Sequence, residues 1–157
     1  MAEQLIISEG DKSEKYELLY RQIEALVENE TDTIAVMSNM TAMIQETFNF
    51  LWTGFYRVVG EMLVVGPFQG PLACMRIGYG KGVCGEAWQN KETIIAPDVE
   101  SFPGHIACSS LSKSEIVVPV KSEGDVVAVL DIDSEKYSEF DSVDALWLEK
   151  IIYLIPF

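Results

Sequence analysis

Two apolar runs near the end of the chain constrain the fold more than any other stretch. Glu115–Ser122 and Val126–Asp133 are rich in valine, isoleucine and leucine, and only Glu123-Gly124-Asp125 separates them. A connection that short joins two strands antiparallel, as a hairpin. Side chains alternate along a strand, so Asp131 and Asp133 share one face. Antiparallel pairing also sets the start of the first run, Glu115, beside the end of the second. The pattern therefore predicts a cluster of Glu115, Asp131 and Asp133. Three carboxylates held together do not all ionise at their ordinary pKa, so at least one is expected to retain a proton. The alternative reading is a solvated strand end with three ordinary surface acids.

A second hairpin lies earlier. Phe50–Val59 alternates as a strand, turns at Gly60-Glu61 and returns as Met62–Phe68. Trp52, Gly54 and Tyr56 fall on one face, with Leu51, Phe55 and Thr53 on the other. Gly54 is expected to leave a gap flanked by two rings. Trp52 and Tyr56 are then either core or the walls of a pocket. Helical spacing accounts for three further segments. In Asp11–Asn29 the stripe is Tyr16, Leu19, Tyr20, Ile23, Leu26 and Val27. The next helix, capped by Thr31 or Asp32, carries Ile34, Met37, Ile44 and Phe48, with Met37, Met40 and Met43 as core filler. Asp141–Leu154 has Asp141 as its cap and Val143, Leu146, Trp147, Ile151 and Leu154 as its stripe. A short helix over Gly85–Asn90 and a brief strand over Glu92–Ala96 precede the irregular stretch Val99–Ser114. Hairpin strands with helices on their faces give an α+β fold, an antiparallel sheet covered by helices. At 157 residues the chain is expected to form a single domain over residues 1–157.

The chemistry points to thiols. The chain has three cysteines, Cys74, Cys84 and Cys108, and one histidine, His105. Cys108 sits in the run His105-Ile106-Ala107-Cys108-Ser109-Ser110, among small and hydroxylated residues that leave room for a substrate and can favour a thiolate. It is either a redox nucleophile or an inert, half-buried thiol. All three cysteines fall in the irregular, glycine-rich half of the chain, outside the expected helices. Three thiols fit one attacking cysteine with resolving partners, and they also fit three unrelated residues. No Cys-x-x-Cys pair exists, which leaves no metal centre to expect. The stretch Gly78-Tyr79-Gly80-Lys81-Gly82-Val83-Cys84-Gly85 reads as a loop. It lacks both the phosphate-loop pattern and the dinucleotide-binding one.

Charge excludes some partners. With 25 acids against 11 bases the formal charge is −14, so neither nucleic acid nor an anionic membrane surface is expected as a partner. Met1–Gly10 has no signal-peptide character and no run is apolar enough to span a bilayer, so a cytoplasmic chain is expected.

Several blocks together resemble one known family. Phe68-Gln69-Gly70-Pro71-Leu72-Ala73-Cys74, Gly80-Lys81-Gly82-Val83-Cys84-Gly85, His105-Ile106-Ala107-Cys108, Ser114-Glu115-Ile116-Val117-Val118-Pro119 and Leu130-Asp131-Ile132-Asp133-Ser134 are similar to the signature blocks of the free methionine-(R)-sulfoxide reductases. The likeness runs from about Tyr16 to Leu154. Ser109 and Lys113 depart from the family pattern, which has Asp and Asn there. The resemblance implies a GAF-domain fold and reduction of free methionine-(R)-sulfoxide without a metal or organic cofactor. It implies Cys108 as attacking thiol, Cys74 as resolving thiol and Cys84 as an alternative. It further implies Glu115, Asp131 and Asp133 as substrate-binding acids, Trp52 and Tyr56 as pocket walls, and thioredoxin as reductant. A homodimer through the terminal helices is compatible with it. The competing readings are a ligand-binding sensor of GAF type and a plain interaction module.

Overall fold

The computed structural model describes residues 4–157; the beginning of the Met1–Gly10 stretch lies outside them. Six strands form one antiparallel sheet in the order β3-β2-β1-β6-β5-β4. They are β1 (Trp52–Val59), β2 (Met62–Gln69), β3 (Arg76–Gly78), β4 (Ile94–Ala96), β5 (Ser114–Ser122) and β6 (Asp125–Ser134). Both expected hairpins form, β1 with β2 and β5 with β6. Pairing of β1 with β6, from Trp52 opposite Asp133 to Arg57 opposite Ala128, joins them at the centre of the sheet. β3 was not expected. Three residues are too few for periodicity to show, and β3 is held by pairing with Met62–Val64.

The helices are α1 (Lys12–Val27), α2 (Thr33–Phe48), α3 (Gly82–Asn90) and α4 (Ser142–Ile152). Side chains of α1, α2 and α4 share one apolar cluster with Phe55, Ile116, Val118, Leu130 and Ile132 of the sheet. Aspartate begins each of these helices. Asp11 accepts from the Glu14 N–H at 2.9 Å and Asp32 from that of Ala35 at 2.8 Å. Asp141 and Asp144 form a reciprocal capping box.

Two expected stripes are rotated. On α2, Ile34 points outward, while Val36, Met37, Met40, Thr41, Ile44 and Thr47 are buried. Threonine is admitted to the inner face because its hydroxyl bonds back to its own helix, Thr41 to Ser38 O and Thr47 to Met43 O. On α4, Leu146 is exposed and Leu148 is buried. The inner stripe runs through Asp144, whose buried carboxylate accepts from Tyr16 OH at 2.6 Å and from Lys12 Nζ at 2.7 Å. A charged residue inside a stripe is invisible to apolar periodicity. Leu26 of α1 is likewise exposed.

α3 lies on the other face. It begins at Gly82, earlier than expected, so the first turn of α3 absorbs half of the glycine-rich stretch. Cys84 therefore sits in a helix and not in a loop. Gly82 takes φ 61°, a turn into the helix that favours glycine. A side chain on Gly85 would meet the carbonyl oxygen of Gly78 at 2.5 Å, so glycine is required for the helix to lie against that turn.

Candidate active site

The face beneath α3 carries two rows of side chains across the sheet. One row is Ala96, Glu115, Asp133 and Trp52, each opposite the next. The other places Val117, Asp131, Gly54 and Phe68 in register. Glu115, Asp131 and Asp133 thus meet as the hairpin pattern predicts. Glu115 and Asp131 are buried, and Asp133 keeps partial exposure. Burial and the neighbouring acids push Glu115 well above the ordinary carboxylate value, and Asp133 rises for the same reasons. Burial raises Asp131 to about 6, against the hydrogen bonds that favour its charged form. The cluster is therefore a proton store near neutral pH. Ser112 donates to Asp133 Oδ1 at 2.8 Å, which favours the charged form of that one group.

Gly54 does not leave an open gap. The Trp52 ring folds across it toward Phe68, and a Cβ at Gly54 would strike both side chains. Trp52 stacks with Phe68 at 5.2 Å and with Tyr56 at 5.7 Å between ring centroids. Glycine here lets an indole lie flat over the sheet beside Asp131. Tyr56 OH donates to Cys74 O at 3.0 Å, tying the sheet to the Cys74 segment. Leu51, placed by alternation on the opposite face, precedes β1 and lines the same cavity as Trp52.

A narrow cavity opens between this face, the first turn of α3 and the loop before β5. Trp52, Tyr56, Cys84, Cys108, Glu115, Asp131 and Asp133 all line it. Cys74 and Cys108 are joined in a disulfide with their Cα atoms 5.5 Å apart. Cys74 itself does not line the cavity; it meets the site through this bridge. Cys84 remains a free thiol, buried 3.8 Å from Glu115 Oε1. Burial and the acids around it push its pKa well up, so it is a neutral thiol. Donor atoms of Cys84, Glu115 and Asp131 lie within 4.8 Å of one another, close enough for a cation. Their raised pKa values mean that protons already relieve the crowding of charge.

Sequence reasoning missed part of the wall. Ser112, Lys81, Val83 and Ile77 also line the cavity. The run of hydroxyl residues after Cys108 was the available signal for Ser112. Lys81 and Val83 depend on where α3 begins, and Ile77 on the short strand β3. His105 reaches the cavity too, and burial holds its ring below the usual value. Among the described residues, Trp52 Nε1, His105 Nδ1 and Asp131 Oδ1 are buried with no hydrogen-bond partner in the chain. Three polar atoms in one cavity wall are thus open to a polar ligand.

The GAF domain family model matches residues 30–155, and the chain is a GAF domain. It is 56% identical to GAF domain-containing protein A of Dictyostelium discoideum, over 99% of both chains. It is 43% identical to the free methionine-R-sulfoxide reductase of Saccharomyces cerevisiae, covering 92% of this chain and 86% of that one. The X-ray structure of the free methionine-R-sulfoxide reductase of Neisseria meningitidis in complex with its substrate superimposes with a TM-score of 0.95. That structure is 47% identical, and the match covers 98% of this chain and 93% of the other. The chain belongs to the free methionine-R-sulfoxide reductases, oxidoreductases that act on a sulfur group.

Proposed function

We propose that this chain reduces free L-methionine-(R)-sulfoxide to L-methionine with Cys108 as the attacking thiol. The observation that carries this reading is the meeting of Cys108 with three carboxyls of raised pKa and two aromatic walls in one cavity. Family membership supports the substrate class.

The Cys108 thiolate attacks the sulfoxide sulfur. A carboxyl of the Glu115, Asp131 and Asp133 cluster gives a proton to the sulfoxide oxygen, making it a leaving group. Methionine departs and Cys108 is left as a sulfenic acid, having taken over the oxygen. The Cys74 thiol condenses with it, water leaves and the Cys74–Cys108 disulfide forms. Thioredoxin then restores both thiols by exchange. The bridge is compatible with this last intermediate. Cys84, buried and neutral, is the weaker candidate for the resolving role. Asp131 Oδ1, unpaired in the wall, is suited to the substrate ammonium, and the indole of Trp52 to the S-methyl group. Tyr56 completes the wall.

Cysteine variants test the relay. Cys108→Ser should abolish methionine release. Cys74→Ser should release about one methionine per chain and then stop, since the sulfenic acid has no partner for thioredoxin to act through. Substantial turnover by Cys108→Ser would contradict the assignment. Full cycling by Cys74→Ser would transfer the resolving role to Cys84.

A further inference from the structure

Charge is distributed unevenly along this acidic chain. Neither residues 62–85 nor residues 101–114 contain a single Asp or Glu, although the chain holds 25. These are the two segments that carry Cys74, Cys84 and Cys108. Their charged residues are Arg76, Lys81 and Lys113. The acids of the site lie beneath them, on the sheet.

Apolar side chains are exposed in the same two segments. Leu72 is 90% exposed and Met75 77%, flanking Cys74; Ile106 is 39% exposed and Leu111 54%, flanking Cys108. Each lies within three residues of a bridged cysteine. With the two Cα atoms 5.5 Å apart, the bridge brings the two exposed apolar pairs to one part of the surface. Single exposed apolar residues need no explanation, but a group gathered on one feature marks an interaction surface.

We propose that this acid-free apolar rim is the docking surface for a protein dithiol reductant, one whose reactive thiols sit in an apolar and neutral or acidic surface. The proposal rests on the functional reading above, because only a cycling disulfide requires repeated reduction. A small thiol needs only access to a sulfur and makes no use of Leu72 and Met75. A protein partner buries them, and burial of apolar surface favours association. The rest of the surface, at a formal charge of −14 for the chain, repels an acidic partner, so the rim is where such a partner can approach. In the docked complex a partner thiolate attacks one sulfur of the Cys74–Cys108 bridge. The S–S bond breaks and the other sulfur leaves as a thiolate. The partner's second thiol, deprotonated, then attacks the partner's first sulfur in the mixed disulfide, and this chain's sulfur leaves as a thiolate. The partner ends as a disulfide, and this chain gains two electrons and two protons as two thiols.

Met75 and Leu111 lie outside the cavity wall, so a Met75→Glu, Leu111→Glu double variant tests the surface and spares the pocket. The oxidised protein is mixed with reduced thioredoxin or with dithiothreitol, without any sulfoxide, and loss of the Cys74–Cys108 bridge is timed by quenching, alkylating and weighing this chain. The expected result is a fall of about tenfold or more in the second-order rate with thioredoxin, with the dithiothreitol rate within about twofold of wild type. A milder Met75→Ser, Leu111→Ser pair gives the same contrast, reduced in size, if the acidic variant folds poorly. Unchanged rates with both reductants would overturn the proposal, as would an equal loss with both. Because no sulfoxide is present, failure of the docking surface is read separately from failure of the reductase assignment.

Discussion

The two faces of the sheet are built from the same strands to opposite ends. In β6 the sequence Leu130-Asp131-Ile132-Asp133 sends two apolar side chains into the cluster under α1, α2 and α4, and two acids into the cavity under α3. In β5, Ile116 goes one way and Glu115 the other. The helical face is dry, and its one buried acid among the described residues, Asp144, is matched by a tyrosine hydroxyl and an ammonium. The cavity face holds three acids with raised pKa values, a neutral thiol and unpaired polar atoms. Buried polar groups normally find partners. Gathering unmatched polar atoms around one cavity, on a rigid support, reserves that cavity for a ligand. Stability is concentrated on one side of the sheet and reactivity on the other.

Breaking the acid cluster should have the largest effect. Glu115→Gln keeps the shape of the side chain and removes its proton exchange. The rate of sulfoxide reduction should fall by roughly 10²–10⁴, while circular dichroism and thermal midpoint stay near wild type. An unchanged single-turnover rate would remove Glu115 from the chemistry and leave the two faces less distinct. The dry face should give the reverse. Ile44→Ala, in the buried stripe of α2, should lower unfolding stability by about 2–5 kcal/mol. The protein that remains folded at low temperature should keep its activity within about twofold. A large activity loss in folded protein would show that the faces are coupled.

The smallest effect sharpens the comparison through pH. Folded Asp131 holds its proton up to about pH 6, whereas an ordinary aspartate releases it near 3.8. Between those values the folded state binds more proton than the unfolded chain, so stability falls as pH rises through the window. Asp131→Asn escapes this loss. It should be more stable than wild type at pH 7 by on the order of 2 kcal/mol, with the gap closing toward pH 4. Urea midpoints at the two pH values measure it. A gap that does not change with pH would contradict the raised pKa.

Much of this was legible in the sequence because alternation and short turns are local. The two hairpins, the caps at Asp32 and Asp141 and the gathering of Glu115, Asp131 and Asp133 all follow from neighbours within about twenty residues along the chain. The β1–β6 pairing is long-range, and so is the meeting of Trp52 with Asp133 that it causes. β3 was too short to see. The first turn of α3, ahead of the expected start at Gly85, was hidden because glycine density reads as loop, whereas here Gly82 and Gly85 serve the helix start and its close packing. Gly54 misled for a related reason: the missing side chain marked a place for a neighbouring ring to lie.

One measurement bears most directly on the central claim. Folded, reduced protein is assayed for thioredoxin-coupled NADPH consumption with free L-methionine-(R)-sulfoxide, its S epimer and an N-blocked R sulfoxide, side by side. Turnover of the free R form alone is the predicted result, since it requires the thiol relay, the acids and a pocket that recognises a free ammonium. No turnover of any of the three would contradict the account and leave a cavity that binds without reacting.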